Sequence, residues 1–155
     1  MRTERLRAVF DTNVFVFAFL SRNPGSPIRE LVRRWEQDEF VLVVSDALLD
    51  QVAEKLVERG IEQERVIEFL TLVERLAERI DVPREAVRFV IVDDPDDDQI
   101  IACAMAGKVD YLVSYDPHLD CLGEEYRGIK ITKALPFLWA VRGDRPPETV
   151  AAENE

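Results

Sequence analysis

The chain has 155 residues, of which 47% are hydrophobic and 33% charged, and its 31 acidic and 20 basic residues give a formal net charge of −11. This length suits one domain with a sizeable core, and no apolar run reaches the roughly 18 residues that a membrane span needs. So negative a charge argues against a protein that holds nucleic acid on a broad basic surface. It does not exclude a nuclease, because carboxylates are the ligands of hard metal ions.

Apolar runs and turn residues divide the first half of the chain into alternating strands and helices. Ser26 and Ser45 precede helical patterns as N-caps, Pro27 takes a first helical position, and Gly60 follows a helix end. We predict strands at 6–10 and 40–44, a buried apolar helix at 14–20, helices from Pro27 to about residue 37 and from Ser45 to about residue 59, and a helical stretch at 61–80.

The second half continues this alternation and predicts an α/β fold, a three-layer α/β/α sandwich with a mainly parallel sheet. Residues 1–141 form one domain, and the Pro- and acid-rich segment 142–155 is predicted to be a flexible tail. We predict strands at 88–92, 111–113 and 129–131, a helix that holds Asp98 and runs to Ala106 before Gly107, and a last helix capped by Thr132 and ending near residue 141.

Cysteine usage and the N-terminus indicate the cellular compartment. Cys103 and Cys121 make no disulfide framework, and Cys103 lies in an apolar helical pattern as a small core residue. The charged N-terminus does not look like a signal peptide. A reducing cytoplasm is therefore the expected location.

Five aspartates lie within the six positions 93–98, directly before an apolar helical pattern. Asp98 shares a helix face with Ile101, Ala102 and Met105, so it heads the stripe that should face the core. A carboxylate in that place needs a partner, and a divalent cation bound by several oxygens is one. The ordinary alternative is a helix cap or first-turn acid, which is the commoner use of aspartate.

Carboxylates also follow the other predicted strands, and parallel strands end at one edge of a sheet, where ligands bind. Their mutual repulsion is costly unless a cation compensates it. Oxygen ligands without histidine or cysteine favour Mg²⁺ or Mn²⁺, and His118, the one histidine, reads as a surface residue in a polar loop. The residues at these strand ends are Asp11, Asp46, Asp50, Asp98 and Asp116.

Four segments in this order resemble the PIN-domain family, and within it the VapC-like toxins of bacterial toxin–antitoxin pairs. The resemblance covers about residues 9–141. Asp-Thr-Asn by itself is a weak motif, whereas the four segments together are fairly specific. They are Val9-Phe10-Asp11-Thr12-Asn13-Val14, Val43-Val44-Ser45-Asp46-Ala47-Leu48-Leu49-Asp50, residues 94–102, and Asp110-Tyr111-Leu112-Val113-Ser114-Tyr115-Asp116.

The resemblance implies an endoribonuclease that hydrolyses RNA phosphodiester bonds with Mg²⁺ or Mn²⁺, in a homodimer with a cognate antitoxin as protein partner and no membrane association. It implies the following roles: Asp11 as central metal ligand, Asp98 and Asp116 completing the metal site, Asp50 as fourth catalytic acid, and Asn13 and Ser114 supporting the site through hydrogen bonds.

Two departures from the family pattern leave alternatives open. The helix acid is usually Glu, whereas this chain has the shorter Asp50, with Asp46 one helical turn away as a rival; the register favours Asp50. Ser114 stands where the family usually has Thr. The change to Asp50 and the low pI give slight support to a second interpretation, a catalytically silent PIN-like protein that acts by binding a protein partner. The helix at 14–20 is expected in the core, and part of it could serve as a groove for a dimer partner or an antitoxin.

Two further hypotheses concern basic residues. A receiver-like or phosphatase domain would pair the acids with a lysine late in the sheet, either Lys130 or Lys133, but the spacing of the acids fits poorly. The three arginines of the helix after Pro27 could hold a nucleic-acid backbone, although a solvated helix face is the commoner use of such a cluster. They are Arg29, Arg33 and Arg34.

Overall fold

The structure is a computed structural model, and its description covers residues 5–82, 95–116 and 124–143, with the backbone alone for residues 95–98. The elements in these ranges alternate between strand and helix over much of the chain. They are β1 (Arg7–Phe10), α1 (Thr12–Leu20), α2 (Pro27–Glu36), β2 (Val41–Val44), α3 (Asp46–Glu58), α4 (Gln63–Leu76), β3 (Glu78–Arg79), α5 (Pro95–Ala106), β4 (Tyr111–Val113), β5 (Glu125–Tyr126), β6 (Ile129–Thr132) and α6 (Ala134–Arg142).

The strands form one sheet in the order β3-β2-β1-β4-β6-β5. All neighbouring pairs in it are parallel except the antiparallel pair of β5 and β6. The central strand β1 pairs Ala8 with Leu42 on one side and Val9 with Leu112 on the other. The predicted three-layer α/β/α sandwich with a mainly parallel sheet is confirmed.

The core lies on both faces of β1. Successive strand residues point to opposite faces, and Ala8, Val9 and Phe10 are all at most 4% exposed, so helices cover both sides of the sheet. The Phe10 ring contacts the rings of Phe40 and Phe137 at centroid distances of 5.9 and 6.0 Å. This burial explains why the strands read as continuous apolar runs in the sequence.

Helix α5 runs antiparallel to the central strands. Its end lies at their amino edge, because the Arg7 guanidinium donates from Nη2 to the Gly107 carbonyl at 2.8 Å. Gly107 follows the helix as predicted, and a Cβ there would lie only 2.7 Å from Val43 Cγ1, so glycine allows the close approach. A helix of 12 residues is about 18 Å long, so the first turn of α5 lies at the opposite, carboxyl edge of the sheet.

Two of the predicted elements are wrong in part. The helical stretch at 61–80 ends at Leu76, and Glu78 and Arg79 pair with β2 as strand β3. Thr132 does not cap the last helix; it lies in β6, and Lys133 is the N-cap without a side-chain hydrogen bond. In both places the backbone hydrogen bonds of a neighbouring strand outweigh the local helical pattern.

The sequence reading also missed the hairpin that joins β5 to β6. Arg127 and Gly128 both have positive φ angles, 49° and 86°, as a tight two-residue hairpin turn requires. The predicted strand at 88–92 and residues 144–155 of the predicted tail lie outside the described residues. In the part of the chain that the structure describes, none of the helices combines the length and apolar character needed to cross a bilayer.

Candidate active site

Asp11 lies where β1 ends and α1 begins. Its extended backbone (φ −63°, ψ 159°) makes it the N-cap of α1, and its Oδ1 accepts a hydrogen bond from the Thr12 N–H at 2.7 Å. Its own N–H donates to the Val113 carbonyl of β4 at 2.9 Å. The side chain is only 5% exposed. The sheet and the helix start therefore fix a buried carboxylate at the carboxyl edge of the central strand.

Ser114 joins the ends of β1 and β4. Its hydroxyl donates to Asp11 Oδ2 at 2.6 Å and accepts from the Asp116 N–H at 3.0 Å. Because the backbone N–H of Asp116 uses one lone pair, the single hydroxyl proton is directed to the carboxylate. Ser114 therefore orients Asp11 and also fixes the turn that carries Asp116.

Three of the residues singled out in the sequence thus come together at this edge: Asp11, Ser114 and the half-buried Asp116. Asn13 is exposed on the first turn of α1. These placements do not test the predicted division between metal ligands and supporting groups. The roles themselves stay predictions.

Helix α3 contacts this site through a residue that the sequence reading missed. The Thr12 hydroxyl donates to Gln51 Oε1 at 3.1 Å, whereas Asp50 is exposed. Gln51 lies three residues after the buried Leu48 and one before the buried Val52, so the helical register could have placed it on the inner side of α3. Its side chain is an uncharged amide, so the pattern of acids in the sequence did not indicate it.

Asp98 belongs to the first turn of α5, which lies at the carboxyl edge of the sheet. Its neighbour Gln99 lines a groove of about 340 Å³ together with Ser45, Asp46 and other residues at the ends of β2 and β3. The backbone of Asp98 is therefore on the predicted side of the sheet. Its side chain, like the whole of His118, lies outside the described residues.

Asp46, the rival of Asp50, is an exposed acid with an arginine partner. Its Oδ1 accepts a hydrogen bond from Arg79 Nε at 2.6 Å. This hydrogen bond is the main reason that the pKa of Arg79 lies above its ordinary value. Helix α3 therefore begins with an acid that is neutralised from β3, the strand that the sequence reading did not find. This pairing favours Asp50 over Asp46 as the acid available to a site.

The three arginines of α2 contact the protein itself. Arg29 Nη1 donates to the Ala18 carbonyl at 3.2 Å, and Arg33 Nη1 donates to the Pro24 carbonyl at 3.1 Å. Arg34 forms ion pairs with Glu30 at 2.9 Å and with Glu39 at 2.6 Å. These contacts give the three arginines a structural role, since each of them binds another part of the protein.

Cys103 is a core residue, as predicted. It is fully buried, and desolvation raises the pKa of its thiol to about 11, against the opposing hydrogen bond with Ser45. A thiol with so high a pKa stays protonated at neutral pH, so Cys103 is no nucleophile.

The donor set at the carboxyl edge suits a hard divalent cation. Asp11 and Asp116 offer carboxylate oxygens, and Ser114 links the two residues. Among the residues whose side chains are described, acids, histidines and cysteines form no group of three arranged to hold a metal ion. The sequence predicts Asp98, on the first turn of α5, as a third ligand, and its side chain lies outside the described residues.

A family model described as PIN domain matches residues 7–118. The chain therefore belongs to the PIN-domain family. A search of curated proteins gave no match. Three structures of low sequence identity share the fold.

The first is VapBC2 of Rickettsia felis, bound to a DNA fragment from its promoter: 16% identity, TM-score 0.58, covering 81% of this chain and 97% of the other. The second is PAE2754 of Pyrobaculum aerophilum, with 14% identity, TM-score 0.62 and 90% and 91% coverage. The third is VapC20 of Mycobacterium tuberculosis, a toxin that cleaves the sarcin–ricin loop, with 13% identity, TM-score 0.53 and 79% and 98% coverage.

Proposed function

We propose that this protein is a Mg²⁺- or Mn²⁺-dependent endoribonuclease that hydrolyses RNA phosphodiester bonds as the toxin of a toxin–antitoxin pair. The observation that carries the proposal is the hydrogen-bonded series Asp11–Ser114–Asp116 at the carboxyl ends of two adjacent central strands. Membership of the PIN-domain family supports it, as do the fold relatives VapBC2 and the loop-cleaving toxin VapC20.

Each residue has a stated task in this proposal. Asp11, Asp116 and Asp98 would hold the cation, and Ser114 keeps the Asp11 carboxylate in one orientation. Asp116 or Asp50 would orient the attacking water. A divalent cation, when bound, neutralises charge on the phosphate and lowers the pKa of a coordinated water. No covalent intermediate with the protein is needed.

The proposed biological setting is supported in part by the fold relatives. A cognate antitoxin is proposed as protein partner, since VapBC2 is a two-component assembly bound to its promoter DNA. A homodimer in the cytoplasm completes the proposal.

One observation favours the second candidate, a catalytically silent protein that acts by binding a partner. The α3 side chain that contacts the Asp11–Thr12 turn is the neutral Gln51, whereas Asp50 is exposed. An amide there contributes one negative charge fewer than a carboxylate would, which weakens attraction for a divalent cation.

The test combines metal binding with cleavage. Calorimetry with Mg²⁺ and Mn²⁺ and digestion of a labelled mixed-sequence single-stranded RNA are run on the unaltered protein, on Asp11→Asn and on Asp38→Asn. Asp38 is an exposed acid before β2, and its positive φ of 65° suits Asn, so Asp38→Asn is a matched control.

We expect Asp11→Asn to lower cleavage by at least about 100-fold, the scale of losing one charge-stabilising group in a site. Metal binding should weaken in parallel, and Asp38→Asn should behave like the unaltered protein. Equal cleavage by Asp11→Asn and the unaltered protein would refute the proposed site. If neither the unaltered protein nor any variant cleaves RNA, with or without a metal ion, and the protein binds a protein partner, the silent alternative is supported.

A further inference from the structure

A groove of about 370 Å³ lies beside the candidate active site, between the end of α1 and the start of α2. Tyr115 lines it and is the chain neighbour of both Ser114 and Asp116. Neighbouring Cα atoms are only about 3.8 Å apart, so the backbone at this wall of the groove continues directly into the residues of the Asp11–Ser114–Asp116 series. We name it the Phe17–Tyr115 groove; its lining residues are Phe17, Leu20, Ser21, Ser26, Pro27, Ile28 and Tyr115.

Two aromatic rings form one wall of the groove. Phe17 is 40% exposed, although Val14, Phe15 and Val16 before it on α1 are buried. Its ring lies 5.7 Å from the Tyr115 ring, with an interplanar angle of 57°. An exposed aromatic ring that a neighbouring ring holds in place is a surface on which a flat, uncharged ring can stack at little entropic cost.

Hydroxyl groups form the polar part of the groove. The side-chain oxygens of Ser21 and Ser26 are 3.2 Å apart, and Ser26 Oγ also accepts from the Arg29 N–H at 3.2 Å. Among the described residues that line the groove, none has a charged side chain. A nucleobase has apolar faces and a polar edge, and it matches a wall of this composition better than a phosphate does.

We propose that the Phe17–Tyr115 groove binds one unpaired nucleobase next to the scissile bond of a single-stranded RNA. This inference rests on the proposed nuclease function and specifies its substrate. The net charge of −11 gives the chain little overall attraction for a phosphate backbone, so base stacking has to supply a larger share of the affinity. A duplex would withhold its stacked bases from the groove.

The first experiment measures binding without cleavage. Anisotropy of a labelled six-nucleotide RNA in Ca²⁺ is compared for the unaltered protein, Phe17→Leu and Phe17→Trp. Leucine keeps the apolar character and removes the ring, whereas tryptophan keeps a stacking face. We expect Phe17→Leu to weaken binding roughly 5- to 100-fold, the range for one base–aromatic stack, and Phe17→Trp to retain it.

The second experiment needs no protein variant and remains informative if Phe17→Leu does not fold. A single abasic position is moved along an RNA that the unaltered protein cleaves. We expect kcat/KM to fall when the abasic position is adjacent to the cleaved bond. If Phe17→Leu folds, the same abasic position should lower its kcat/KM little further. The ring and the base form one contact, and the substitution has already removed it.

The outcomes separate this inference from the proposed function. RNA that binds in a Phe17-dependent way but is never cleaved refutes the hydrolysis and supports the groove. Asp11-dependent cleavage that neither Phe17→Leu nor an adjacent abasic position alters refutes the groove and supports the hydrolysis. No RNA binding by the unaltered protein, or a loss of protein-partner binding alone in Phe17→Leu, also overturns the groove inference.

Discussion

Acidic side chains in two regions of this molecule are held by different kinds of donor. At the carboxyl edge of the sheet, the backbone N–H of Thr12 and the hydroxyl of Ser114 donate to Asp11. Where α2 meets α6, the guanidinium groups of Arg34 and Arg142 bind Glu30. Neutral donors orient a carboxylate without cancelling its charge, whereas arginines neutralise it. The described donors to Asp11 orient its carboxylate, whereas the arginines at Glu30 join helices α2 and α6.

The same contrast separates the two candidate acids of α3. Asp46 is bound by Arg79 from the neighbouring strand, whereas Asp50 lies one turn further along, next to the Gln51 that contacts Thr12. A pattern of acids in the sequence therefore includes acids such as Asp46, which form ion pairs within the protein, together with acids that have no such pair among the described contacts. The basic partners, which come from distant parts of the chain, distinguish between them.

Of the changes that test the contrast between the Asp11 and Glu30 regions, removal of the Ser114 hydroxyl should have the largest effect. We expect Ser114→Ala to lower RNA cleavage roughly 10- to 100-fold, as loss of a group that orients a metal ligand does. It should also cost about 1–3 kcal/mol in the free energy of unfolding, because buried partners lose a hydrogen bond. Cleavage kinetics and urea unfolding measure the two effects.

Ser114→Thr is the matched control, since it keeps the hydroxyl that Asp11 and Asp116 use. Threonine should restore most of the cleavage. If alanine and threonine variants cleave alike, the hydroxyl does not orient the site.

A comparison of Asp50→Asn with Asp46→Asn tests the contrast within α3. We expect Asp50→Asn to lower cleavage by about tenfold, within the range for a supporting group in a metal site. Asp46→Asn should leave cleavage unchanged, because that acid is bound to Arg79. Rates over a Mg²⁺ titration separate weaker metal binding from slower chemistry. The reverse ranking of the two variants would assign the role to Asp46.

Replacement of Glu30 should change stability and leave the site intact. The Arg142 hydrogen bond, followed by that of Arg34, lowers the pKa of Glu30 below its ordinary value of 4.5. A lowered folded-state pKa contributes stability above pH 4.5, and this stability is lost as the pH falls through the folded-state pKa. We expect Glu30→Gln to cost about 1 kcal/mol at pH 7, since the groups are partly exposed.

Thermal unfolding of both proteins between pH 3 and pH 7 (a range of roughly four units around the carboxylate pKa) measures this dependence. The difference between them should shrink toward acid pH. A difference that stays constant over this range would mean that Glu30 acts by packing and not by charge.

The smallest effect concerns Cys103, a buried group outside both acidic regions. Its thiol has a pKa of about 11 and is fully buried, so iodoacetamide at pH 8 (roughly the pKa of an exposed cysteine) should leave it unmodified in the folded protein. Peptide mapping before and after unfolding in urea checks this. Rapid labelling of Cys103 in the native protein would show that the core opens there.

Much of the fold was predictable because its signals are local. Ser26, Ser45 and Gly107 mark helix boundaries through the hydrogen bonds and the space of their own turns. Strand β3 and the role of Thr132 were not predictable in this way, because they depend on backbone hydrogen bonds with strands that are distant in sequence.

The sequence by itself determined the alternation of strands and helices, and with it the edge at which Asp11 and Asp116 meet. This follows because parallel strands all end at one edge of their sheet, whatever their order. Only the tertiary structure decided that Ser114 bridges these residues, that Gln51 contacts Thr12 and that Asp46 belongs to Arg79. Apart from the bond between Ser114 and Asp116, these contacts join residues 33 to 103 positions apart, and their side-chain directions are not encoded in any local pattern.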